Sequence, residues 1–311
     1  MNLIRKDIAI RYNHFSVDRN IKKEPLLDLV LSEFTGYKCY KYETNMSVVN
    51  IYYGFNEWES KYFGINSITL YFIDFNTNKF SIIYEAIQSL ITELNECFNR
   101  SLIITFEVPS EDNKLIQLLN LLGFRSVETR LHLLNNDLNN FNFKHFSTRN
   151  ANMQDISNLK RVASLMRNIY DRFHSDLSFD KGKADDYLST YIENSINGFA
   201  DIVIVPDEIG LPSDSFLTAN IYKQYWDKFD YPISKMVLSA VSSETNKGWY
   251  IKLITEMTYR LKEMGAKSIF ATTQSTNIPV LVTWEKLGYR IGRTTHVLTY
   301  NSKMVEKLNE Y

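Results

Sequence analysis

Thr245-Asn246-Lys247-Gly248-Trp249-Tyr250 is the first part of the segment from which the fold can be predicted. A strand-forming run follows, Ser268-Ile-Phe-Ala-Thr-Thr273, and then the polar segment Gln274-Ser-Thr-Asn277. The stretch closes with Trp284-Glu-Lys-Leu-Gly-Tyr289. This order predicts an α/β crossover that begins at a helix N-terminus. Its parts are a turn, a helix, a strand, a polar strand end and a second helix that Gly288 stops.

The turn at Asn246-Lys247-Gly248 has the chemistry of an anion site. A turn between a strand and a helix directs several backbone N–H groups at one point, and the helix dipole adds positive potential. Lys247 adds a charge, so the turn suits a pyrophosphate. A single Gly before a helix is also an ordinary turn, and the turn alone leaves both interpretations open.

The two halves of the chain share one pattern. Leu122-Gly-Phe-Arg125 and Leu287-Gly-Tyr-Arg290 each follow an apolar helical pattern and start a strand-like tail. A similar strand precedes that helix in each half, at 101–106 and at 268–273. We interpret the pattern as a duplication, although helix-Gly-strand junctions are common enough to coincide. The Asn-rich segment 135–140 is interpreted as a linker.

The sequence therefore predicts two domains, residues 1–142 and 143–311. Each is expected to be an α/β fold with a mixed, mostly antiparallel sheet flanked by helices. In the second domain, helices are predicted at 152–166, 185–195, 250–264 and 278–287, and strands at 201–205, 215–223, 235–242 and 268–273.

The composition excludes several classes of function. The 311 residues carry 35 basic and 36 acidic side chains, a net charge of −1 that gives no footprint for nucleic acid. The N-terminus lacks the apolar run of a signal peptide, and no stretch is apolar enough to span a membrane. Cys39 and Cys97 have no Cys or His neighbours at metal spacing. We therefore expect a cytoplasmic protein without nucleic-acid, membrane or metal partners, and a homodimer remains open.

The motif order from residue 245 to 289 resembles the acetyl-CoA half of the GNAT superfamily of N-acetyltransferases. The resemblance implies acyl transfer from a CoA thioester to an amine. In that superfamily's turn pattern, Gln/Arg-x-x-Gly-x-Gly/Ala, the matching places are Thr245, Gly248 and Tyr250, so only the central Gly is kept. Many relatives carry a Tyr on the last helix that protonates the leaving thiolate. Trp284 occupies that place, and its indole N–H is not a usable acid.

The resemblance also implies where acetyl-CoA, or another acyl-CoA, would bind. The strand at 237–241 would pair with pantetheine and polarise the thioester carbonyl by backbone donation. Packing in the helix–sheet core is the alternative for Tyr250 and Trp284. The implied cofactor-binding residues are Leu238, Ala240, Val241, Asn246, Lys247, Gly248, Trp249, Tyr250, Gln274, Asn277 and Trp284.

Asp171-Arg-Phe-His-Ser-Asp176 lies between the first two predicted helices of the second domain, where the GNAT layout covers the acceptor pocket. His174 is interpreted as the general base, because an unperturbed imidazole titrates near neutral pH. Asp176 is expected to orient His174, and Arg172 to bind the acceptor together with His174. A solvated loop with a capping Asp is the alternative.

Three segments resemble the nucleotide-sugar N-acetyltransferases typified by TDP-fucosamine (TDP-4-amino-4,6-dideoxygalactose) acetyltransferase: Arg172–Asp176, 198–205, and Glu57-Trp-Glu-Ser-Lys-Tyr-Phe-Gly64. The resemblance implies tandem GNAT folds with a degenerate first unit and an acyl-CoA-binding second unit. It predicts an N-acyltransferase that moves an acetyl or other short acyl group to the primary amine of an amino-sugar nucleotide, in polysaccharide biosynthesis. Another small amine, such as an amino acid, polyamine or aminoglycoside, is one alternative acceptor. A non-catalytic module with the same fold is the other alternative.

Overall fold

The computed structural model describes residues 3–99 and 101–304 of the chain. Its helices are α1 (Lys6–Tyr12), α2 (Lys23–Phe34), α3 (Glu57–Phe63), α4 (Phe80–Cys97), α5 (Asn113–Leu121), α6 (Ile156–Leu165), α7 (Arg172–Ser175), α8 (Lys181–Asn194), α9 (Lys223–Phe229), α10 (Trp249–Glu263) and α11 (Ile278–Lys286). Its strands are β1 (Lys38–Glu43), β2 (Val48–Phe55), β3 (Asn66–Phe75), β4 (Leu102–Pro109), β5 (Arg125–Asn135), β6 (Thr148–Asn150), β7 (Ile202–Pro206), β8 (Ser215–Asn220), β9 (Ile233–Val241), β10 (Ser268–Gln274) and β11 (Arg290–Asn301).

The chain forms two compact units that are not contiguous in sequence. The first comprises Met1–Arg130, Ser175–Phe179 and Arg293–Tyr311, and the second comprises Leu131–His174 and Asp180–Gly292. The first unit includes β11 from the far half of the chain, and the second includes the end of β5. This division by contacts does not show which segments fold independently, so the predicted domain boundary at 142/143 stays a prediction.

The first unit has the strand order β1-β2-β3-β4-β11. Its strands pair antiparallel except β3 and β4, which run parallel because α4 crosses over between them. Helix α4 buries one face against the sheet, with Ile83, Ile87, Leu90 and Leu94 spaced by three or four residues.

The second unit has the strand order β5-β10-β9-β8-β7-β6. From β6 to β9 the neighbours are antiparallel, and β9 and β10 run parallel around the crossover helix α10. Helix α10 packs Leu253, Met257 and Leu261 on one face of the sheet, and α6 packs Leu159 and Val162 into a separate core cluster with β7 and β8. The predicted fold class, a mixed and mostly antiparallel sheet flanked by helices, is confirmed.

The repeated helix-Gly-strand junction is present in both units. Gly123 and Gly288 adopt positive φ angles of 87° and 79°. The following residue's N–H donates back to the last turn in both cases, from Phe124 to Leu119 O and from Tyr289 to Trp284 O, each at 3.0 Å. Only glycine takes this left-handed conformation at low cost, so the same residue type stops both helices.

Several predicted elements differ from the structure in extent. The strand predicted at 215–223 ends at Asn220, and helix α9, which the pattern did not predict, begins at Lys223. The predicted linker at 135–140 contains the end of β5 and a 3-10 turn at Leu138–Asn140. Leu138 is buried in the core of the second unit, so this segment is not a linker; tertiary burial overrides its polar composition. Within the described residues, no helix has both the length and the apolarity that crossing a membrane requires.

Candidate functional site: a gap between two parallel strands

The parallel strands of the second unit pair only where they begin. β9 and β10 have three register positions, from Ile233 to Lys235 on β9. Beyond them β9 continues to Val241 and β10 to Gln274 without a further register position between the two. Val237 lies in this part of β9 and is 37% exposed, although the strand is in the interior of the sheet. The parting strands leave a gap in which an extended ligand can meet backbone N–H and C=O groups.

A β-bulge marks the place where the strands part. Leu217 faces Ser239 and Ala219 faces Met236, so Thr218 alone faces two residues of β9. The Thr218 hydroxyl accepts a hydrogen bond from the Leu238 N–H at 2.9 Å and donates to the Leu238 carbonyl at 3.2 Å. A bulge locally bends its strand, and here the Thr218 hydroxyl gives the Leu238 N–H a side-chain partner. Any polarising donor to a ligand must therefore come from another N–H of β9.

The side chains of the other predicted β9 residues belong to the core. Ala240 is 7% exposed and packs, together with Leu238, in the cluster formed by α6 and α8. Val241 packs against the core that contains α10. A contact between these residues and a ligand would therefore be a backbone contact, as predicted from the resemblance, and it stays a prediction.

The turn before α10 presents donors to open space. Gly248 is the N-cap of this 15-residue helix, with φ 86° and no side-chain cap. A side chain at Gly248 would meet no atom within 4 Å. Among the described residues, no acceptor pairs with the N–H of Lys247 or Gly248, whereas the N–H of Trp249 donates to Asn246 O at 3.0 Å. The helix dipole and the exposed Lys247 make this turn suited to an anion such as a pyrophosphate.

Hydrogen bonds to a buried carboxylate stabilise this turn. Asp214 accepts a hydrogen bond from the Asn246 side-chain amide at 2.6 Å and another from the Thr245 hydroxyl. The Asn246 amide also donates to Ser215 Oγ at 2.9 Å, and the Arg161 guanidinium lies 3.8 Å from Asp214. The Asn246 side chain therefore faces the protein, which leaves only its backbone for the predicted cofactor contact. Sequence reasoning missed Asp214, because no local pattern links it to a turn 31 residues later.

Tyr250 and Trp284 meet beside the gap. The Trp284 indole N–H donates to Tyr250 Oη at 3.0 Å, and Ser239 of β9 is a second hydrogen-bonding neighbour of the phenol. Burial raises the pKa of Tyr250 well above its ordinary value, and these hydrogen bonds oppose the rise. Trp284 is 4% exposed and packs edge-on against Tyr289. Trp249 is buried in the same core, so its predicted cofactor contact is also a backbone contact.

The loop before α11 carries two further predicted residues. Gln274 Oε1 accepts a hydrogen bond from Asn168 at 2.7 Å, which ties the end of β10 to the loop after α6. Asn277 is the N-cap of α11, but its side chain makes no capping hydrogen bond. Its half-buried amide is therefore available to a ligand at the end of β10.

His174 is held between two carboxylates. Its Nδ1 lies 2.8 Å from Asp171 Oδ2, its Nε2 lies 3.0 Å from Asp185 Oδ1, and its side chain is 5% exposed. Arg167 Nε lies 2.6 Å from the same oxygen of Asp185. A neutral imidazole can donate to only one carboxylate, and an imidazolium donates to both. To act as a base, His174 must release one of these contacts.

Asp176 does not orient His174. It belongs to the first unit, where its carboxylate accepts from Thr299 Oγ1 at 2.7 Å and from the Ser178 N–H at 2.9 Å, and where Arg125 lies 3.5 Å away. Asp171 and Asp185 contact the His174 ring where Asp176 was expected, because helix α7 ends at Ser175, between His174 and Asp176. Arg172 packs its guanidinium over the Phe173 ring at 4.3 Å.

The first unit has a similar gap, which its own chain fills. β3 and β4 pair as far as Leu70, and β3 then continues to Phe75. The Arg5 guanidinium donates to Ile73 O at 2.8 Å and to Asp112 Oδ1 at 2.6 Å, and it stacks over the Phe75 ring at 4.1 Å. Arg5 thus occupies the end of β3 and links it to the segment after β4, and the expectation that the first unit is degenerate stays a prediction.

Comparison of the sequence with protein-family models gives no match, and comparison with curated proteins gives no significant match. Solved structures do share the fold. A GCN5-related glucosamine N-acetyltransferase region of a fungal multi-domain GH3 β-N-acetylglucosaminidase superposes with a TM-score of 0.60 and 12% identity, over 96% of this chain and 38% of that chain. A GCN5-related N-acetyltransferase from Sphaerobacter thermophilus gives a TM-score of 0.51 and 7% identity, over 89% and 85% of the two chains. One from Kribbella flavida gives 0.51 and 11%, over 86% and 91%.

At these identities the likeness concerns the fold. The chain therefore has the fold of the GNAT acetyltransferases.

Proposed function

We propose that the protein transfers an acyl group, acetyl in the simplest case, from CoA to the primary amine of an amino sugar carried on a nucleotide. The observation that carries the proposal is the gap between β9 and β10, which ends beside the donor-rich turn at Gly248. An extended strand edge next to an uncapped helix N-terminus suits a ligand that joins an amide-containing arm to a pyrophosphate. Acyl-CoA is such a ligand, and its thioester supplies the activated acyl group.

The residues of the second unit divide this task. The N–H groups of Lys247 and Gly248 hold the pyrophosphate, and the N–H of Trp249 joins them by leaving Asn246 O. The backbone of β9 beyond Lys235 pairs with the pantetheine arm and donates to the thioester carbonyl. The Asn277 amide binds an amide of the same arm. The second unit contains no cysteine, so within it the amine attacks the thioester directly.

Two observations support the proposal of an acceptor in the sugar class. The fungal region that superposes on 96% of this chain is described as a glucosamine N-acetyltransferase. The segment around Arg172 offers a guanidinium, the group that binds phosphate oxygens well. His174 is the proposed acceptor of the amine proton, with Asp171 and Asp185 as the carboxylates that position its ring.

A non-catalytic role is the second candidate, and one observation favours it. The Tyr250 side chain reaches from α10 to Trp284 of α11, with Ser239 of β9 beside it, and so spans elements that border the gap. If this bridge does not yield to pantetheine, the fold is kept without the chemistry.

Calorimetric titration with acetyl-CoA tests the cofactor half, with desulfo-CoA as the control ligand. We expect micromolar binding at one site per chain, since Arg5 fills the gap of the first unit. Gly248→Ala places a methyl group in the open space before α10 and should weaken binding at least tenfold. Gly198→Ala is the matched control, because Gly198 also has a positive φ, 106°, and open space around it. Absence of binding at millimolar acetyl-CoA would contradict the proposal and support the non-catalytic role.

Thiol release tests the acceptor class. The purified protein is assayed with acetyl-CoA and panels of amino-sugar nucleotides, free amino sugars, polyamines and aminoglycosides. The proposal expects turnover highest with the nucleotide-linked amines. Preference for polyamines or aminoglycosides would keep the chemistry and replace the acceptor.

A further inference from the structure

The leaving thiolate of the proposed reaction needs a proton, and few side chains around the gap can supply one. The elements that border the gap present hydroxyls of Ser239, Thr272 and Thr273, the Asn277 amide and the Trp284 indole. Hydroxyl, amide and indole protons are too weakly acidic to serve. Tyr250, which is bonded to Trp284, adds a phenol, and its proton is more acidic than that of any of these groups.

The hydrogen bonds of Tyr250 leave its own proton available. An indole N–H can only donate, so Tyr250 Oη accepts from Trp284 in their 3.0 Å contact. The phenol proton must therefore point away from Trp284. Ser239, the other neighbour of the phenol, lies on β9 directly after the bulge at Val237 and Leu238. The phenol is thus fixed beside the segment of β9 that is proposed to hold the thioester.

We propose that Tyr250 is the general acid of the reaction, supplied by the first turn of α10 because α11 presents Trp284. This inference rests on the proposed function. The amine nitrogen forms a bond to the thioester carbonyl carbon, the carbon–sulfur bond breaks, and its electron pair stays on sulfur. Tyr250 Oη gives its proton to that sulfur. The attacking amine gives its proton to His174, the proposed base, and the phenolate regains a proton from solvent.

The surroundings keep this acid in its protonated form. Burial raises the pKa of Tyr250, and the groups that oppose the rise, Ser239 and Trp284, are both uncharged. At neutral pH the phenol therefore carries its proton when the thiolate forms.

Tyr250→Phe removes the proton and keeps the ring. We expect kcat to fall about 100-fold while the Kd for acetyl-CoA changes by less than about threefold. Tyr289→Phe is the matched control, because Tyr289 is a buried phenol of the same core that bonds Thr258 Oγ1 at 2.8 Å. It should lower thermal stability and leave kcat within about threefold of the wild type.

The outcomes separate this inference from the proposed function. Failure of the wild type to bind acetyl-CoA would overturn both. The role of Tyr250 alone would be overturned if the wild type turns over and Tyr250→Phe has the same kcat. It would also be overturned if Tyr250→Phe only loses affinity for acetyl-CoA. If Tyr250→Phe does not fold, a fluorinated tyrosine at position 250 replaces it. Because burial raises the pKa of Tyr250, the wild type should keep its kcat/KM to high pH, whereas the more acidic phenol should give an alkaline limb at lower pH. A pH profile identical to that of the wild type would contradict the assignment.

Discussion

At the scale of single residues, the second unit depends on carboxylates that the sequence motifs do not mark. Asp155 is one: it accepts two hydrogen bonds from Arg149, at 2.7 and 2.8 Å, one from Ser213 and one from the Asn152 N–H. Burial acts to raise the pKa of Asp155, but these hydrogen bonds prevail and hold the pKa at about 2. The ionised form is thus favoured in the folded state.

Asp155→Asn should destabilise the protein by about 1–2 kcal/mol at neutral pH. Because the folded-state pKa lies below the unfolded one, the carboxylate stabilises the fold above about pH 4, and this contribution disappears as pH falls towards 2. The difference in melting temperature between wild type and variant should therefore shrink between pH 4 and pH 2, as measured by thermal unfolding. Asp186→Asn, at an exposed position of α8, is the control. A difference that stays constant over this range would contradict the assignment.

His174→Ala is expected to lower kcat about 100-fold while leaving the Kd for acetyl-CoA nearly unchanged. The reason is that His174 lies between Asp171 and Asp185 and is not part of the turn before α10, where the proposed pyrophosphate site is. Steady-state kinetics and calorimetry measure the two quantities, and His145→Ala, at a largely exposed histidine of the same unit, is the control. Equal turnover in His174→Ala would remove it from the mechanism and leave it as a tie between α7 and α8.

At the scale of elements, α10 has two functions that share one helix. Its N-terminus forms the proposed anion site, and its buried face fills the core under β8 and β9. The register of the turn therefore depends on side chains such as Leu253, one turn further along the helix. The sequence predicted this helix at 250–264 and the structure has it at Trp249–Glu263, because its apolar spacing and its Gly stop are local signals.

Leu253→Ala should destabilise the second unit by about 3 kcal/mol, because Leu253 is fully buried and its loss leaves a cavity. Denaturant unfolding followed by tryptophan fluorescence measures this unit, since Trp249 and Trp284 lie in the same core. Ile251 of the same helix is 36% exposed, so Ile251→Ala should lower the free energy of unfolding by less than about 1 kcal/mol. Similar losses from both variants would contradict the packing described for α10.

At the scale of the whole molecule, the first unit includes a strand from the far end of the chain. β11 pairs with β4 over seven positions, from Thr295 to Asn301. A fragment that ends at residue 142 lacks this strand, and β4 would then be an unpaired edge. The predicted domain boundary can be tested directly on this point.

Residues 1–142 and 143–311, expressed separately, should each be poorly folded, and together they should recover a cooperative unfolding transition. Circular dichroism and amide hydrogen exchange of each fragment, with the full chain as reference, measure this. A stable, cooperatively unfolding fragment 1–142 would show that β11 is dispensable and that the boundary marks independent domains.

Sequence reasoning reached the parts of this molecule whose signals are local. The Gly288 stop, the turn at Gly248 and the helix–strand order of the second half follow from spacing and glycine conformation. The support of the turn by Asp214, the contact between Tyr250 and Trp284, and the filling of the first gap by Arg5 join residues far apart in sequence. The hydrophobic periodicity of a sequence does not predict contacts of this kind. The expected pairing of His174 with Asp176 is absent for the same reason. Asp176 instead accepts a hydrogen bond from Thr299, 123 residues away, and His174 contacts Asp171 and Asp185.

The pairing of β4 with β11 also has a consequence for biosynthesis. The Leu102 N–H is bonded to Ser302 Oγ, and these residues are 200 positions apart. A ribosome that adds roughly 5–20 residues per second needs about 10–40 s to cover that distance. Throughout that interval the nascent first unit displays β4 as an open, strongly apolar edge. Newly made chains should therefore depend on holdase chaperones for longer than a protein of this size whose sheets close in the order of synthesis.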